Sequence, residues 1–354
     1  MDPITKVSRG RISWGRIARR AVGTVIILGV VALGFIIYLL LAPDTAFARG
    51  SRYFYLHDGW KANQVYSALS TQGILRHEKA FAWVARRVGY SRHIHSGRYL
   101  IRAGMSSFQI LRLLRSGRQT PVRLVINSLR TEGDLVSLIS RNLETDSGQL
   151  KDLLGREDFL RQYGLDSADQ LCLVIPDTYE FYWNSSADRV VKKLARAYRD
   201  FWDSSRITQA RAIGLEPPQV VVLASIVEQE TNKDSEKPRI AAVYLNRMKK
   251  GIRLAADPTV KFALGDYTIR RIYGKFTQVN SPYNTYMHSG LPPGPICIPS
   301  RVTVDAVLHS PSTDDLYFCA RPDFSGYHVF AATLAAHKKN ARRYQHALDS
   351  LNIK

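Results

Sequence analysis

The sequence predicts an α+β protein with a single N-terminal transmembrane helix, a small α/β module and a larger mixed α/β domain. Three observations lead to this prediction. The 354-residue chain has one long uncharged apolar run near its start, strand-like and helix-like segments then alternate without an internal repeat, and 45% of the residues are hydrophobic. Such a length and composition are typical of a folded chain with a sizeable core, not of a disordered one.

The apolar run covers residues 21–42, which are 22 consecutive residues without a charge. At about 1.5 Å per residue, such a helix crosses the roughly 30 Å hydrocarbon core of a bilayer. The run is longer than the apolar region of a cleavable signal peptide, although the small residues that follow it leave cleavage as an alternative. Six basic residues and one acidic residue precede it in residues 1–20. By the positive-inside tendency, residues 1–20 form a cytoplasmic basic arm and everything after residue 42 is exported.

The net charge is +20, of which +15 lies after residue 20. Because export places this charge outside the cytoplasm, we expect no nucleic-acid partner. A basic exterior fits anionic lipid head groups or an anionic wall polymer, and a solvated surface without a partner remains open.

Three cysteines, Cys172, Cys297 and Cys319, are far apart and form no CxxC or Cys/His spacing. We therefore expect no metal and no cofactor, with either three buried thiols or one bridge and a remaining thiol.

Residues 51–118 have the pattern of a small α/β module. FYLH (54–57) and GRYLI (97–101) are typical of strands, with two helical segments between them that end at Gly73 and Gly89. A third helix follows Ser106, which fits an N-cap, and ends at Gly117. This order of elements resembles a peptidoglycan-binding LysM-like module. The stretch SGRQTP (116–121) fits a hinge to the next domain.

Residues 122–354 predict the larger domain. VRLVI (122–126) and CLVI (172–175) are typical of strands, and Pro176 with Asp177 indicates a turn. Helices are expected over residues 131–142, 151–163 and 187–202. No internal repeat or low-complexity stretch is present.

The stretch VVLASIVEQET (221–231) places two carboxylates at the end of an apolar segment. If a helix begins near Pro217, then Leu223, Ile226, Val227 and Glu230 lie on one stripe at the 3.6-residue period, and Glu228 points about 200° away from Glu230. A carboxyl at the edge of an apolar face has a raised pKa and suits a general acid of glycoside cleavage. The alternative is that Glu230 pairs with a lysine or arginine.

Two further segments carry polar groups. A second amphipathic helix is expected around Ile240 to Arg247, with a stop at Gly251 and a turn at Asp257-Pro258. The stretch SPYNTYMHSGLPPGPI (281–296) then combines hydrogen-bonding side chains with a rigid Gly-Leu-Pro-Pro-Gly loop. Aromatic and amide groups on fixed loops can hold a sugar, and ordinary turn chemistry can also account for them.

These motifs together resemble the endolytic murein transglycosylases of the YceG-like (MltG) family. The resemblance runs through PDTYEFYW (176–183), LASIVEQET (223–231), YLNRMKKGIRL with DPTV (244–260), YNTYMHSGLPPGPI (283–296) and LYFCA (316–320). It departs from the family pattern at Gln229, where lysine or arginine is common, at Ala255, where glutamine is frequent, at Ile298 with Ser300, and at Ala336.

The resemblance implies a single-pass enzyme of the inner (cytoplasmic) membrane, with a LysM-like module (51–118) and a catalytic domain (122–354). It assigns the catalytic acid to Glu230, the second acid of Glu-x-Glu-Thr. It also implies that further polar residues line or support the substrate cleft, namely Glu228, Asn246, Asp257, Asn284, Thr285 and Tyr286. The implied partners are peptidoglycan glycan strands, membrane lipid around residues 21–42, and peptidoglycan synthases.

The implied reaction is endolytic cleavage of the MurNAc-GlcNAc bond of nascent glycan strands, which leaves 1,6-anhydroMurNAc ends and terminates elongation. It needs neither metal nor water, since one carboxyl serves as acid and then as base. A second hypothesis is a non-catalytic, membrane-anchored scaffold that binds peptidoglycan. A third, a nucleic-acid-binding or lipid-binding protein, rests on charge alone.

Overall fold

The computed structural model describes residues 14–269 and 272–350. These residues form two compact units that divide between Thr120 and Pro121. Most of the predicted basic arm, residues 1–13, lies outside the described residues. The mixed α/β class with one N-terminal apolar helix is confirmed.

The first unit begins with α1 (Trp14–Leu41), in which residues Arg19–Tyr38 are long and apolar enough to cross a membrane. Most of its described apolar side chains are exposed: Val25 and Leu28, for example, are more than 60% exposed. A helix that exposes such side chains all round is matched to lipid and not to water.

The remainder of the first unit is a two-stranded sheet covered by three helices. In chain order these are β1 (Ser51–Leu56), α2 (Ala62–Thr71), α3 (Glu78–Arg87), β2 (Gly97–Arg102) and α4 (Ser107–Arg115). β1 and β2 pair antiparallel, with Phe54 opposite Tyr99. Both side chains are fully buried, because alternate residues of a strand face the same side of the sheet. The predicted N-cap is confirmed, since Ser106 Oγ accepts a hydrogen bond from the Gln109 backbone N–H.

Gly97 at the start of β2 is required by close packing. Its φ is +141°, and a Cβ there would lie 2.1 Å from the side chain of Gln119. Gln119 donates from its amide nitrogen to the Ser96 carbonyl, so the end of the module folds back on β2 where glycine leaves room.

The second unit is mainly helical and contains two separate two-stranded sheets. Its first half comprises β3 (Val122–Ile126), α5 (Glu132–Asn142), α6 (Ser147–Leu154), α7 (Glu157–Leu160), β4 (Asp177–Phe181), α8 (Ala187–Phe201) and α9 (Ser204–Ala212). Its second half comprises α10 (Pro217–Glu230), α11 (Lys237–Lys249), α12 (Asp257–Leu264), α13 (Arg301–Leu308), β5 (Tyr317–Ala320), β6 (His328–Ala331) and α14 (Leu334–Ser350).

Two expectations for the first half of this unit are wrong. CLVI is not a strand, since residues Gln170–Leu173 form a short 3-10 turn, and a short apolar run alone does not distinguish a strand from other buried backbone. The strand is DTYEF, where we expected a turn, and it pairs antiparallel with β3. Its Tyr179 and Phe181 face the core at alternate positions.

One helix prediction and one turn prediction also need correction. The helix expected over residues 151–163 is interrupted at Gly155, where α6 ends before the one-turn α7 begins, as the low helix propensity of glycine favours. Asp257-Pro258 is not a separate turn. It forms the first turn of α12, the one place in a helix where proline costs no hydrogen bond.

α10 is the central helix of the second unit. All residues from Val220 to Val227 are buried, because α9, α11, α12 and α13 pack around it. The predicted stripe is therefore part of a helix that is apolar on every side. β5 and β6 form an antiparallel hairpin, on which α14 packs.

Candidate active site

Glu230 is the last residue of α10. Thr231 has extended backbone angles, with φ −148° and ψ 143°, so the helix stops there and its final side chain reaches past the buried core. The carboxyl end of a helix carries partial negative charge, which disfavours a second negative charge beside it. The position thus favours a protonated carboxyl.

Tyr244 of α11 holds this carboxyl in one orientation. Its hydroxyl donates to Glu230 Oε1 at 2.6 Å, and the Tyr244 ring is buried. Since the phenol occupies Oε1, the second oxygen, Oε2, is left to carry a transferable proton.

Burial raises the pKa of Glu230 to about 7, an effect that Asp257 reinforces and that the Tyr244 hydrogen bond, Lys261 and Arg247 partly oppose. A carboxyl with a pKa near 7 is present in both protonation states at neutral pH. It can therefore donate a proton in one step and accept one in the next.

Asp257 and Tyr286 form a second pair in the same cavity. The Tyr286 hydroxyl donates to Asp257 Oδ1 at 2.5 Å, and burial raises the pKa of Asp257. Thr285 joins the two segments, because its hydroxyl accepts from the Ala256 N–H at 3.0 Å and lies 2.8 Å from the Thr259 hydroxyl. Thr285 is thus placed to position this pair instead of contacting a ligand.

The two pairs line one cavity of about 360 Å³. Its other lining residues are Arg247, Leu254, Ala255, Tyr317, Phe318, Leu334 and His337. Sequence reasoning assigned no cavity role to these residues or to Tyr244. One signal was available: Tyr244 and Arg247 are three residues apart on the predicted amphipathic helix, and Glu230 ends the neighbouring helix.

Arg247 joins two segments of the cavity wall by hydrogen bonds. Its Nε donates to the Leu316 carbonyl and its Nη1 to the Leu254 carbonyl, each at 2.6 Å. The His337 ring of α14 stacks on the Tyr317 ring of β5, with 5.2 Å between the ring centroids. Burial lowers the pKa of His337, which favours the neutral ring.

Glu228 does not line this cavity. Its Oε2 accepts from Lys237 Nζ at 3.1 Å and from Ser300 Oγ at 3.0 Å, and it also contacts the Thr303 hydroxyl. The expected direction, away from Glu230, matches this placement. Glu228 thus joins α10 to α11 and α13, and its expected support of the substrate cleft stays a prediction.

Asn246 and Asn284 also face other partners. Asn246 donates to the carbonyls of Thr313 and Asp315 at 2.7 and 3.0 Å. Asn284 is fully buried and donates to the carbonyls of Thr277 and Val279. Of the residues expected to bind substrate, the structure brings only Asp257 and Tyr286 into the cavity with Glu230.

No group of three or more metal-ligating side chains occurs among residues 14–269 and 272–350. Cys172, Cys297 and Cys319 are free thiols.

The sequence model of the YceG-like family matches residues 54–343, which is most of the chain. The chain belongs to the YceG-like family. The family recognised from the motifs is thus confirmed.

Curated relatives agree with this YceG-like assignment. The chain is 27% identical over 305 residues to an endolytic murein transglycosylase of Bacillus subtilis, a match that covers 81% of this chain and 82% of the relative. It is 23% identical over 293 residues to an endolytic murein transglycosylase of Streptococcus pneumoniae strain D39, covering 74% of this chain but only 53% of that longer relative.

A solved structure shows the same fold. The crystal structure of a yceG-like protein from Listeria monocytogenes aligns with a TM-score of 0.52 and 23% identity, covering 82% of this YceG-like chain and 99% of the other.

Proposed function

We propose that this protein is an endolytic lytic transglycosylase that cleaves the MurNAc-GlcNAc bond of nascent peptidoglycan strands. The observation that carries the proposal is Glu230, a carboxyl with a pKa near 7 that Tyr244 orients in a cavity. Relatives named endolytic murein transglycosylase support the substrate class.

The first step breaks the glycosidic bond. Protonated Glu230 donates its proton to the glycosidic oxygen, the bond from that oxygen to C1 of the muramoyl residue breaks, and C1 becomes oxocarbenium-like. Asp257 lines the same cavity, and its ionised carboxylate stabilises this positive charge.

The second step closes a ring without water. The Glu230 carboxylate accepts the proton of the muramoyl C6 hydroxyl as that oxygen attacks C1, which forms the 1,6-anhydro bond and restores the acid. One carboxyl thus completes a cycle with no cofactor.

Hydrolysis is the second candidate reaction, because Asp257 supplies another carboxyl in the cavity. A carboxylate pair can direct a water molecule to C1. The Asp257 carboxylate already accepts a hydrogen bond from the Tyr286 hydroxyl at 2.5 Å, which favours an electrostatic role for Asp257 over the role of a base.

The first unit is proposed to be the LysM-like module over residues 51–118, beside a catalytic domain over 122–354. Its strand and helix order fits such a module. A cleft of about 700 Å³ lies between the segments that follow β1 and α3, with Trp60 packed 4.9 Å from His57. An aromatic side chain in a polar cleft suits a sugar ring.

The proposed location is the inner membrane, with residues 21–42 across the bilayer, residues 1–20 in the cytoplasm and everything after residue 42 outside. The exposed apolar surface of α1 and the basic residues before it support this orientation. Peptidoglycan synthases are the proposed protein partners, because a cut in a nascent strand has to follow its synthesis.

A digest of purified uncrosslinked strands by the full chain in detergent, analysed by mass spectrometry, tests the proposal. We expect products with 1,6-anhydro-muramic ends that disappear with Glu230→Gln. Reducing ends would instead establish hydrolysis and direct attention to Asp257. Strands that bind but stay intact would support the scaffold hypothesis.

A further inference from the structure

A small basic pocket is lined by the chain neighbours of two residues of the Glu230 cavity. Gln229 and Pro258, the neighbours of Glu230 and Asp257, both line it. Its volume is about 90 Å³, and its remaining walls are Arg130, Lys261, Phe262, Tyr267 and Ile296. This is space for a small group such as a carboxylate, and not for a sugar ring.

The Arg130 side chain is held in this pocket by an amide and an aromatic ring. The Arg130 guanidinium donates to Gln229 Oε1 at 3.2 Å and lies 4.1 Å above the Tyr267 ring. No acidic residue among the described residues lines the pocket. Asp134, four residues after Arg130, accepts from the backbone N–H groups of Arg130 and Thr131 and caps α5.

Lys261 adds a second positive charge. It is partly buried on α12, and it lies close enough to Glu230 and Asp257 to lower the pKa of both. Two partly buried cations against apolar walls of Phe262 and Ile296 repel each other in a medium of low dielectric constant. An anion between them would remove this repulsion and gain charged hydrogen bonds.

We propose that Arg130 and Lys261 form a subsite for a carboxylate of the peptide carried by the muramoyl residue next to the cut. The proposal rests on the proposed function, which supplies a strand with such peptides as substrate. The subsite makes the enzyme selective for strands whose peptide carboxylates are free and anionic. A phosphate group is the other source of negative charge, at the lipid-linked end of a nascent strand, and the test separates the two.

The test measures the affinity of the full chain in detergent for uncrosslinked strands, in a Glu230→Gln background that keeps them intact. One strand preparation retains its peptide carboxylates, and a matched one has them converted to carboxamides. Both are measured with and without the terminal lipid pyrophosphate. We expect about tenfold tighter binding of the carboxylate strands, in the range of a charged hydrogen bond.

Arg130→Gln is expected to bring the ratio of the affinities for carboxylate and carboxamide strands close to one. Lys261→Gln is expected to reduce this ratio as well. Arg199→Gln is the matched control, because Arg199 also lies over a tyrosine ring, at 5.8 Å, but lines none of these cavities. It should keep the full preference.

Three results would overturn the subsite. These are a preference that survives both substitutions, an equal loss of affinity for both strand types, or a preference seen only when the pyrophosphate is retained. The outcome is independent of cleavage. If the wild-type chain cuts neither strand and the preference still depends on Arg130, the proposed reaction fails and the subsite stands.

Discussion

The proposed chemistry depends on one carboxyl, that of Glu230, and the surroundings of this carboxyl control its protonation. Glu230 lies at the carboxyl end of α10, loses hydration there and is oriented by Tyr244. Desolvation opposes the charged form, whereas the phenol favours it. Two substitutions separate these effects.

Tyr244→Phe is expected to raise the pKa of Glu230, because it removes a hydrogen bond that stabilises the carboxylate. The alkaline limb of kcat/KM against pH should move up by about one unit, with a lower maximum because the carboxyl is less well oriented. Tyr163→Phe, at an aromatic contact with Phe159, is the control. An unchanged limb in Tyr244→Phe would show that the hydrogen bond does not set the pKa.

Glu230→Gln is expected to change how stability depends on pH. The pKa of about 7 in the folded chain exceeds the ordinary value of 4.5, so the folded state binds more protons between these values. Stability of the wild type therefore falls as pH rises from about 4.5 to 7. The variant lacks this loss, and its melting temperature should exceed that of the wild type at pH 8 but not at pH 4. Equal differences at both pH values would contradict the raised pKa.

At the level of elements, a hairpin and two helices have to meet for the cavity to exist. The β5–β6 hairpin contributes Tyr317 and Phe318. It is attached to the start of α11 by Glu236, which accepts from the His328 backbone N–H at 2.8 Å and lies 2.9 Å from its ring Nδ1. The Glu236 side chain is only 8% exposed, so little water is available to replace these bonds.

Glu236→Ala is expected to lower stability by about 2 kcal/mol, since it leaves a buried N–H without a partner. It should also reduce kcat severalfold, because the wall formed by Phe318 loosens, while the pH midpoint stays unchanged. Thermal unfolding and steady-state kinetics measure these effects. Asp323→Asn, at the exposed turn of the same hairpin, should change neither. Unaltered kinetics in Glu236→Ala would mean that the hairpin is held by other contacts.

At the level of the whole molecule, the segment after the membrane helix is part of the first unit and not a free linker. Asp44 is 5% exposed. Its carboxylate accepts from Ser107 Oγ at 2.5 Å and from the His77 N–H at 3.2 Å. The backbone of Ala46 also donates to the Ile74 carbonyl. These bonds attach the first unit directly to the end of α1.

Asp44→Ala is expected to release this segment, because the buried Ser107 hydroxyl and the His77 backbone N–H lose their acceptor. Trypsin should then cut after the exposed Arg49 more than about tenfold faster in membranes and free the rest of the chain. Gel analysis of the supernatant measures this release. Asp58→Ala, in an exposed turn of the same unit, serves as the control. Equal rates in the two variants would indicate that other contacts hold the segment.

Features that depend on neighbouring residues were readable from the sequence alone. The apolar run predicted an N-terminal helix long enough to cross a membrane, which α1 contains, the strand-like VRLVI predicted β3 at its observed bounds, and Ser106 was recognised as a cap. The 3.6-residue period also separated the directions of Glu230 and Glu228. Each of these signals arises within a few residues, where periodicity and local hydrogen bonds decide the conformation.

Only the tertiary structure decided which side chains share the cavity. Tyr286 meets Asp257 across 29 residues of sequence, and Glu228 meets Thr303 across 75. The strand is DTYEF and not CLVI, because β3 pairs with DTYEF. Such outcomes depend on which elements pack together, and a local pattern reports that a face is buried without identifying what covers it. The sequence therefore determined the N-terminal apolar helix and the position of the Glu230 carboxyl at the end of a buried helix, and packing determined the partners that shift its pKa.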